Sequence, residues 1–185
     1  MRITGGEARG RTLHFPSESR ERPTSDFLRQ ALFNLLGQLQ GKTFLDLYAG
    51  SGSVGIEAAS RGAREVVFIE KDKKIAAVTR KNIVACGFDE KYRIIALDIS
   101  TGLRDLFINK DKFNIVFADP PYGRGFVGRT IKLLMDNPVQ TKDSVIVFQH
   151  SVREDLNSFL DNKTVLIDQR KYGDNVLSFL RMEHI

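Results

Sequence analysis

Residues 44–55 read Phe44-Leu45-Asp46-Leu47-Tyr48-Ala49-Gly50-Ser51-Gly52-Ser53-Val54-Gly55, and this stretch decides the fold. Its apolar first half predicts a strand over 43–48, and its last residues open a helix predicted over 53–60. The glycines between them match G-x-G-x-x-G. Glycine there permits a tight turn and a close approach of the backbone to a ligand, and the helix N-terminus offers free N–H groups. The stretch therefore predicts a ligand-binding loop between a strand and a helix.

The remaining chain alternates between strand and helix patterns. Further strands are predicted at 65–70, 92–97, 113–118 and 144–149, with helices over 27–36, 73–85 and 129–135. This alternation favours a parallel sheet with helices on both faces. The runs 163–172 and 176–182 both alternate as strands do, and turn residues join them, which predicts a final antiparallel hairpin. The predicted fold is α/β, with a mostly parallel seven-stranded, Rossmann-like sheet.

An acidic residue, Glu70, ends the second predicted strand. It follows the glycine loop at about the spacing at which an acidic side chain binds ribose hydroxyls in folds of this kind. The loop and Glu70 together predict an adenosine-containing cofactor. They do not separate NAD from other cofactors of that class.

The four residues Asp119-Pro120-Pro121-Tyr122 follow the buried strand predicted at 113–118. Prolines stiffen the turn and have no N–H, so the loop offers carbonyl acceptors without competing donors. Asp119 adds a second acceptor, and Tyr122 offers a flat face on which a base can stack. Two acceptors aimed at an amino group can direct its lone pair at an electrophile. A simple turn with a packed tyrosine is the alternative interpretation.

Taken in order, these motifs resemble those of class I S-adenosylmethionine-dependent methyltransferases that act on amino groups. Closer still, the segments 2–11, 22–26 and 46–52, with the Asp-Pro-Pro-Tyr loop, resemble the RsmD family, which methylates a guanine N2 amino group of 16S ribosomal RNA. Tyr48 and Phe27 depart from the family pattern, which more often has Phe and a polar or basic residue there. Neither departure removes a group that the chemistry needs.

The resemblance implies roles for individual residues. Asp46 and the glycine loop would approach the methionine part of S-adenosylmethionine, Glu70 would hold the ribose diol, and Asp98 would contact the adenine amino group. The predicted catalytic residues are Asp119, Pro120, Pro121 and Tyr122. The predicted cofactor-binding residues are Asp46, Tyr48, Gly50, Ser51, Gly52, Glu70, Lys71, Asp98 and Ile99.

The first 23 residues are predicted to form a basic arm or small hairpin, followed by one methyltransferase domain over 24–185. Arginines interleave with glycine in this arm, and the whole chain carries a net charge of +5. Phosphate contacts supply much of the affinity for RNA, so we expect the arm to contact RNA and to help enclose the active site. The predicted RNA-binding residues are Arg2, Arg9, Arg11, Arg22 and Thr24.

Cysteine and histidine usage indicates neither a disulfide nor a metal site. Cys86 is the only cysteine, and His14, His150 and His184 lack the spacing of metal ligands. His150 follows a predicted strand, and a structural role is expected for it. Without a span of about twenty apolar residues or a signal core, the sequence predicts a cytoplasmic protein whose partner is 16S rRNA in a small subunit or an assembly intermediate.

Other functions stay open at the level of sequence. The same chemistry could act on adenine N6 of DNA or on a protein glutamine, although no long target-recognition region is present. An NAD-dependent oxidoreductase would bind nicotinamide and not S-adenosylmethionine. An RNA-binding module that has lost catalysis is disfavoured by the presence of Asp46, Glu70, Asp98 and Asp119. A metal-dependent enzyme would need a ligand cluster.

Overall fold

Apolar runs of the chain form the centre of a seven-stranded sheet. The structure is a computed structural model, and it describes residues 1–15, 24–88, 92–123 and 125–182. The strands are β1 (Thr43–Leu47), β2 (Glu65–Ile69), β3 (Tyr92–Ile95), β4 (Phe113–Ala118), β5 (Gln140–Ser151), β6 (Thr164–Tyr172) and β7 (Asn175–Met182). The helices are α1 (Asp26–Leu36), α2 (Ser53–Ser60), α3 (Lys73–Cys86), α4 (Ile99–Ile108) and α5 (Phe126–Asp136), with a 3-10 turn at Leu156–Phe159.

The sheet order is β3-β2-β1-β4-β5-β7-β6. The first five strands are parallel, while β7 runs antiparallel to both β5 and β6. The predicted fold, including the closing hairpin, is confirmed. β5 is longer than the predicted 144–149, because its polar first residues join β4 through backbone pairing, as Gln140 does with Phe113. β3 stops at Ile95, short of the predicted end at 97.

Two apolar layers cover the two faces of the sheet. One contains side chains of α1, α2 and α3, and the other contains side chains of α4 and α5. Neighbouring residues of each central strand alternate between the layers, as Val66 and Phe68 do with Val67 and Ile69. Burial on both faces explains why these strands appear in the sequence as continuous apolar runs.

The N-terminal arm packs against the α1–α3 layer. Arg2 and Thr12 form an antiparallel bridge, and the chain reverses between them. Ile3, Ala8 and Leu13 are buried in the same apolar cluster as α1 and α2. Gly6 has φ +77, and a Cβ there would lie 1.8 Å from the Ser60 carbonyl oxygen, so only glycine fits. The proposed division at residue 23 remains a prediction, and the arm shares its core with the rest of the chain.

Within the described ranges, none of the helices is long and apolar enough to cross a membrane. Across the same residues, His, Cys, Asp and Glu side chains nowhere gather in threes as a metal site would require.

Candidate active site

A large cavity opens at the carboxyl ends of β1 and β4, which lie side by side. After β1, the chain adds β2 and β3 on one side of that strand and then β4 and β5 on its other side. The direction in which strands are added therefore reverses between β1 and β4. Ligands of open α/β sheets bind at such switch points. The cavity measures about 1450 Å³. Typical small-molecule pockets hold about 300–1,000 Å³, so this cavity has room for a cofactor and a substrate group together.

Most of the predicted site residues line this cavity. They are Thr24, Asp46, Tyr48, Gly50, Ser51, Glu70, Lys71, Asp98, Ile99, Asp119, Pro120, Pro121 and Tyr122. Gly52 lies behind the lining, where it has φ +80 at the N-cap of α2. A Cβ at Gly52 would lie 2.6 Å from Thr79 Cγ2, so this glycine serves the turn and its packing. The roles of all these residues remain predictions.

Asp46 holds the glycine loop from below. Its Oδ2 accepts a hydrogen bond from the Gly55 N–H at 2.8 Å. Burial raises the pKa of Asp46 well above its ordinary value, the hydrogen bond from Gly55 opposes the rise, and the nearby charges of Asp119 and Glu70 add to it. Two side chains of α3 hold the loop from the side, since Thr79 donates to the Gly50 carbonyl and Asn82 to that of Ser51.

Glu70 connects the glycine loop to the start of α3. Its Oε2 accepts from the Gly50 N–H at 2.9 Å, and its Oε1 accepts from the Asp72 N–H at 2.8 Å. The carboxylate is therefore fixed in orientation at the rim of the loop, with only 8% of the residue exposed. This is the position from which it could contact a ribose.

Asp98 is the N-cap of α4, a role that the sequence pattern did not indicate. Its carboxylate accepts from the backbone and hydroxyl groups of Ser100 and Thr101. Those hydrogen bonds lower the pKa of Asp98 to about 2, so it is ionised at neutral pH. The next residue, Ile99, begins α4 beside it. An ionised acceptor next to the apolar Leu97 and Ile99 fits an adenine ring and its amino group.

Tyr48 adopts a left-handed backbone conformation, with φ 61. Bulky residues rarely have positive φ, and such strain persists only when surrounding contacts over-determine it. Here the Tyr48 hydroxyl is 2.7 Å from Thr130 Oγ1 on α5. Burial raises the pKa of Tyr48. The hydroxyl that distinguishes this chain from the usual Phe thus joins the glycine loop to α5.

Asp119 receives two hydrogen bonds on one oxygen. Thr24 Oγ1 donates to its Oδ2 at 3.3 Å, and Gln149 Nε2 donates to the same oxygen at 3.0 Å. The ring of Tyr122 stands at the cavity mouth, half exposed, and its hydroxyl donates to Asn175 Oδ1 on β7. Burial raises the pKa of Tyr122, and the charge of Asp119 adds to the effect.

Several lining residues were not predicted from the sequence. Phe15, Phe126, Arg129, Gln149 and Asn175 all line the cavity. A signal for Gln149 was present, because it is the first polar residue after the buried run 145–148 at the carboxyl edge of the sheet. Its neighbour His150 is the residue for which the sequence predicts a structural role. His150 is buried and bonds Ser178 Oγ and the Ser151 carbonyl, in agreement with the structural role expected for it.

The predicted RNA-binding arginines that the structure describes do not line the cavity. Arg2, Arg9 and Arg11 are exposed on the arm, and Arg22 lies outside the described residues. Arg11 donates to the carbonyl of Ala85 in the last turn of α3, which is the end remote from the cavity. Of the described arm, Phe15 reaches the cavity lining. Thr24 faces Asp119 and lines the cavity, and its contact with RNA remains a prediction.

Comparison with known proteins agrees with the fold and the site. The family model described as conserved hypothetical protein 95 matches residues 1–181. The ribosomal RNA small subunit methyltransferase D of Escherichia coli K12 is 36% identical over 157 residues, which cover 84% of this chain and 77% of that protein. The solved structure of the Escherichia coli candidate methyltransferase yhhF has a TM-score of 0.85 and 30% identity, covering 100% of this chain and 99% of that one.

These findings, with the geometry above, define a class I S-adenosylmethionine-dependent methyltransferase. The chain belongs to the RsmD family. The predictions of the family, of methyltransferase activity and of S-adenosylmethionine as cofactor are confirmed. The alternative of an NAD-dependent oxidoreductase is wrong, because the chain matches a methyltransferase family over nearly its whole length.

Proposed function

We propose that this enzyme methylates the exocyclic N2 amino group of a guanine in 16S ribosomal RNA. The observation that carries the proposal is Asp119 at the cavity, oriented by Thr24 and Gln149 and followed by Pro120 and Pro121. Relatives named ribosomal RNA small subunit methyltransferase D support the choice of RNA. The RsmD pattern in the sequence supports guanine N2.

The chain's own groups would position the amino nitrogen. S-adenosylmethionine supplies a methyl group made electrophilic by its sulfonium, so the enzyme mainly needs to align the nucleophile. Asp119 and the Pro120 carbonyl accept the two N2 hydrogens, which directs the nitrogen lone pair toward the glycine loop. The target guanine leaves its stack to enter the cavity, and Tyr122 stacks on it, worth about 1–3 kcal/mol.

The RNA would also contact the arm. Arg2, Arg9 and Arg11 are exposed residues of the arm, and Arg22 precedes Thr24 in the sequence. Because Arg9 and Arg11 lie near the far ends of α2 and α3, their RNA contacts would be to a part of the substrate remote from the reacting base. A large substrate is consistent with that distance. We propose the small ribosomal subunit or an assembly intermediate in the cytoplasm.

Transfer of labelled methyl groups to 30S particles that lack the modification tests the proposal. We expect label in N2-methylguanosine of the small-subunit RNA after nucleoside analysis. Cofactor binding with label absent from RNA would contradict the proposal and favour the remaining alternatives, adenine N6 of DNA or a protein glutamine. A labelled RNA nucleoside other than N2-methylguanosine would contradict the choice of guanine N2.

The same assay tests Asp119. Asp119→Ala should bind S-adenosylmethionine within about threefold of the wild type and lose at least about 100-fold in turnover, because it removes an acceptor that acts on the reacting amino group. Asp143→Ala is the matched control, since Asp143 is an exposed aspartate near the start of β5. Normal turnover in Asp119→Ala would show that this carboxylate is not needed.

A further inference from the structure

Gln149 lies beside Asp119 on the neighbouring strand. Ala118 pairs with Phe148, so the next residues along β4 and β5 are adjacent at the carboxyl edge of the sheet. The preceding residues Phe117 and Val147 both point into the α1–α3 layer, and Asp119 and Gln149 lie two residues further on the same face. Gln149 is 4% exposed, and it lines the cavity.

The hydrogen bond to Asp119 fixes the orientation of the Gln149 amide. Its nitrogen faces Asp119 Oδ2 at 3.0 Å and lies 3.5 Å from the Tyr122 hydroxyl. Rotating the amide by half a turn would place its oxygen against the carboxylate oxygen, and two acceptors cannot bond one another. The side on which the amide oxygen Oε1 lies is therefore determined by Asp119.

That oxygen lacks a hydrogen-bond partner in the part of the chain that the structure describes. Gln149 Oε1 is buried, and among the described residues nothing donates to it. A buried acceptor left unsatisfied costs about 1–3 kcal/mol, and native proteins contain few of them. The neighbouring amide nitrogen is fully used by the active site. A donor delivered by the substrate would remove the penalty only while the substrate is bound, and the groups that cover Oε1 must shift when the base enters.

The purine bases differ in what stands next to their amino groups. In guanine the N2 amino group lies between N1–H, a donor, and N3, an acceptor. In adenine the N6 amino group is flanked by N1, an acceptor, and in a glutamine amide the amino group is flanked by a carbonyl oxygen, also an acceptor. Enzymes that extrude a base read such donors and acceptors on its Watson–Crick edge. An acceptor beside the Asp119 carboxylate therefore complements guanine, and it complements neither adenine nor a glutamine amide.

We propose that Gln149 Oε1 accepts the N1–H of the target guanine and so determines the specificity of the enzyme for guanine. The inference rests on the proposed function, because it concerns the base whose N2 group is methylated. One side chain then serves two purposes. Its nitrogen orients Asp119, which binds the amino group, and its oxygen identifies the neighbouring ring position.

The test replaces the donor on the base and the acceptor on the enzyme in turn. Substrate particles carry either guanine or 2-aminopurine at the modified position, since 2-aminopurine keeps the 2-amino group and lacks N1–H. The wild type should show a kcat/KM at least about 100-fold lower on 2-aminopurine, because the buried Oε1 then stays unpaired. In Gln149→Leu the ratio between the two substrates should fall below about 10.

Two further variants separate recognition from general damage. Thr24→Val removes the other donor to Asp119 Oδ2, so it should slow both substrates and leave their ratio unchanged. Gln149→Glu keeps an acceptor oxygen but loses the N–H that bonds Asp119, so its overall rate should fall on both substrates. These ratios, unlike absolute rates, do not depend on how much of each variant is folded.

Two results would overturn the inference while leaving the proposed function intact. One is equal methylation of guanine and 2-aminopurine by the wild type. The other is an undiminished preference for guanine in Gln149→Leu. If the wild type forms no N2-methylguanosine in any particle, the proposed function has failed, and the inference fails with it.

Discussion

Asp119 illustrates how much of this site depends on the placement of single atoms. Its Oδ2 receives donors from Thr24, just ahead of α1, and from Gln149, on β5. The orientation of the carboxylate is thus set by Thr24, which lies 95 positions before Asp119 in the sequence, and by Gln149, which lies 30 positions after it. Fixing the acceptor in advance lowers the cost of orienting the amino group when substrate arrives, which is the main task of an enzyme that aligns two reactants.

Tyr122 allows stacking to be separated from hydrogen bonding. Tyr122→Ala should lower kcat/KM for the RNA substrate by about 10–100-fold, because a stacked base contributes about 1–3 kcal/mol. Tyr122→Phe keeps the ring and loses the contacts of its hydroxyl with Asn175 and Gln149, so it should stay within about threefold of the wild type. Steady-state kinetics on 30S particles measure both. If the two variants were equally impaired, the hydroxyl would be the important group and the stacking role would be wrong.

At the scale of elements, a buried ion pair joins the arm, α1 and α2. Arg29 and Glu57 are fully buried and lie 3.2 Å apart. Glu57 also accepts from Thr4 of the arm and from Arg61, and Arg29 donates to the carbonyls of Thr24 and Arg2. The network therefore connects the arm to the segment that carries Thr24 into the active site.

The Arg29 guanidinium is paired with two carboxylates, those of Glu57 and Asp26, and replacing each in turn gives a matched pair of variants. Glu57→Gln should lower the free energy of unfolding by about 3–5 kcal/mol, because it leaves the buried Arg29 without its buried counter-charge. Asp26→Asn removes the other carboxylate, which is 2.9 Å from Arg29 but half exposed, and should cost less than about 1 kcal/mol. Urea unfolding measures both. Similar losses in the two variants would show that burial of the pair does not govern its contribution.

At the scale of the whole molecule, the charge distribution bears on RNA binding. The arm lies on the α1–α3 face, whereas Arg104 and Lys132 are exposed on helices of the opposite face. If RNA follows the arm, neutralising arm charges should reduce the number of counterions released on binding. Neutralising charges on the opposite face should not.

The dependence of RNA affinity on salt tests this. The double variant Arg9→Ala/Arg11→Ala should reduce the slope of log K against log salt by about 1 to 2, since each lost phosphate contact contributes about 0.9. Arg104→Ala/Lys132→Ala is the control and should keep the wild-type slope. Filter binding over a range of salt concentrations gives both slopes. An unchanged slope in the arm variant would remove the arm from the RNA interface.

The sheet could be predicted from the sequence because its central strands are buried on both faces. Such strands appear as continuous apolar runs, as at 113–118, and these runs are typical of strands in a parallel sheet. The sequence also predicted the residues that follow those strands, since the carboxyl edge of a parallel sheet is where ligands bind. It did not predict Gln149 or Asn175, whose roles depend on which strands are neighbours. The polar start of β5 was missed because backbone pairing with β4 leaves no apolar pattern.

The position of β7 has a consequence for the order in which a growing chain can fold. β7 lies between β5 and β6 in the sheet, although β6 precedes it in the sequence. Until β7 has been made, β6 has no neighbouring strand with which to pair, because its neighbour in the sheet is β7. Tyr172 and Asn175 then pair across the turn, so the hairpin can form from local contacts and dock on β5 as a unit. Asn175 reaches Tyr122 only after that docking, so the mouth of the active site is completed only once β7 has been made and has joined β5.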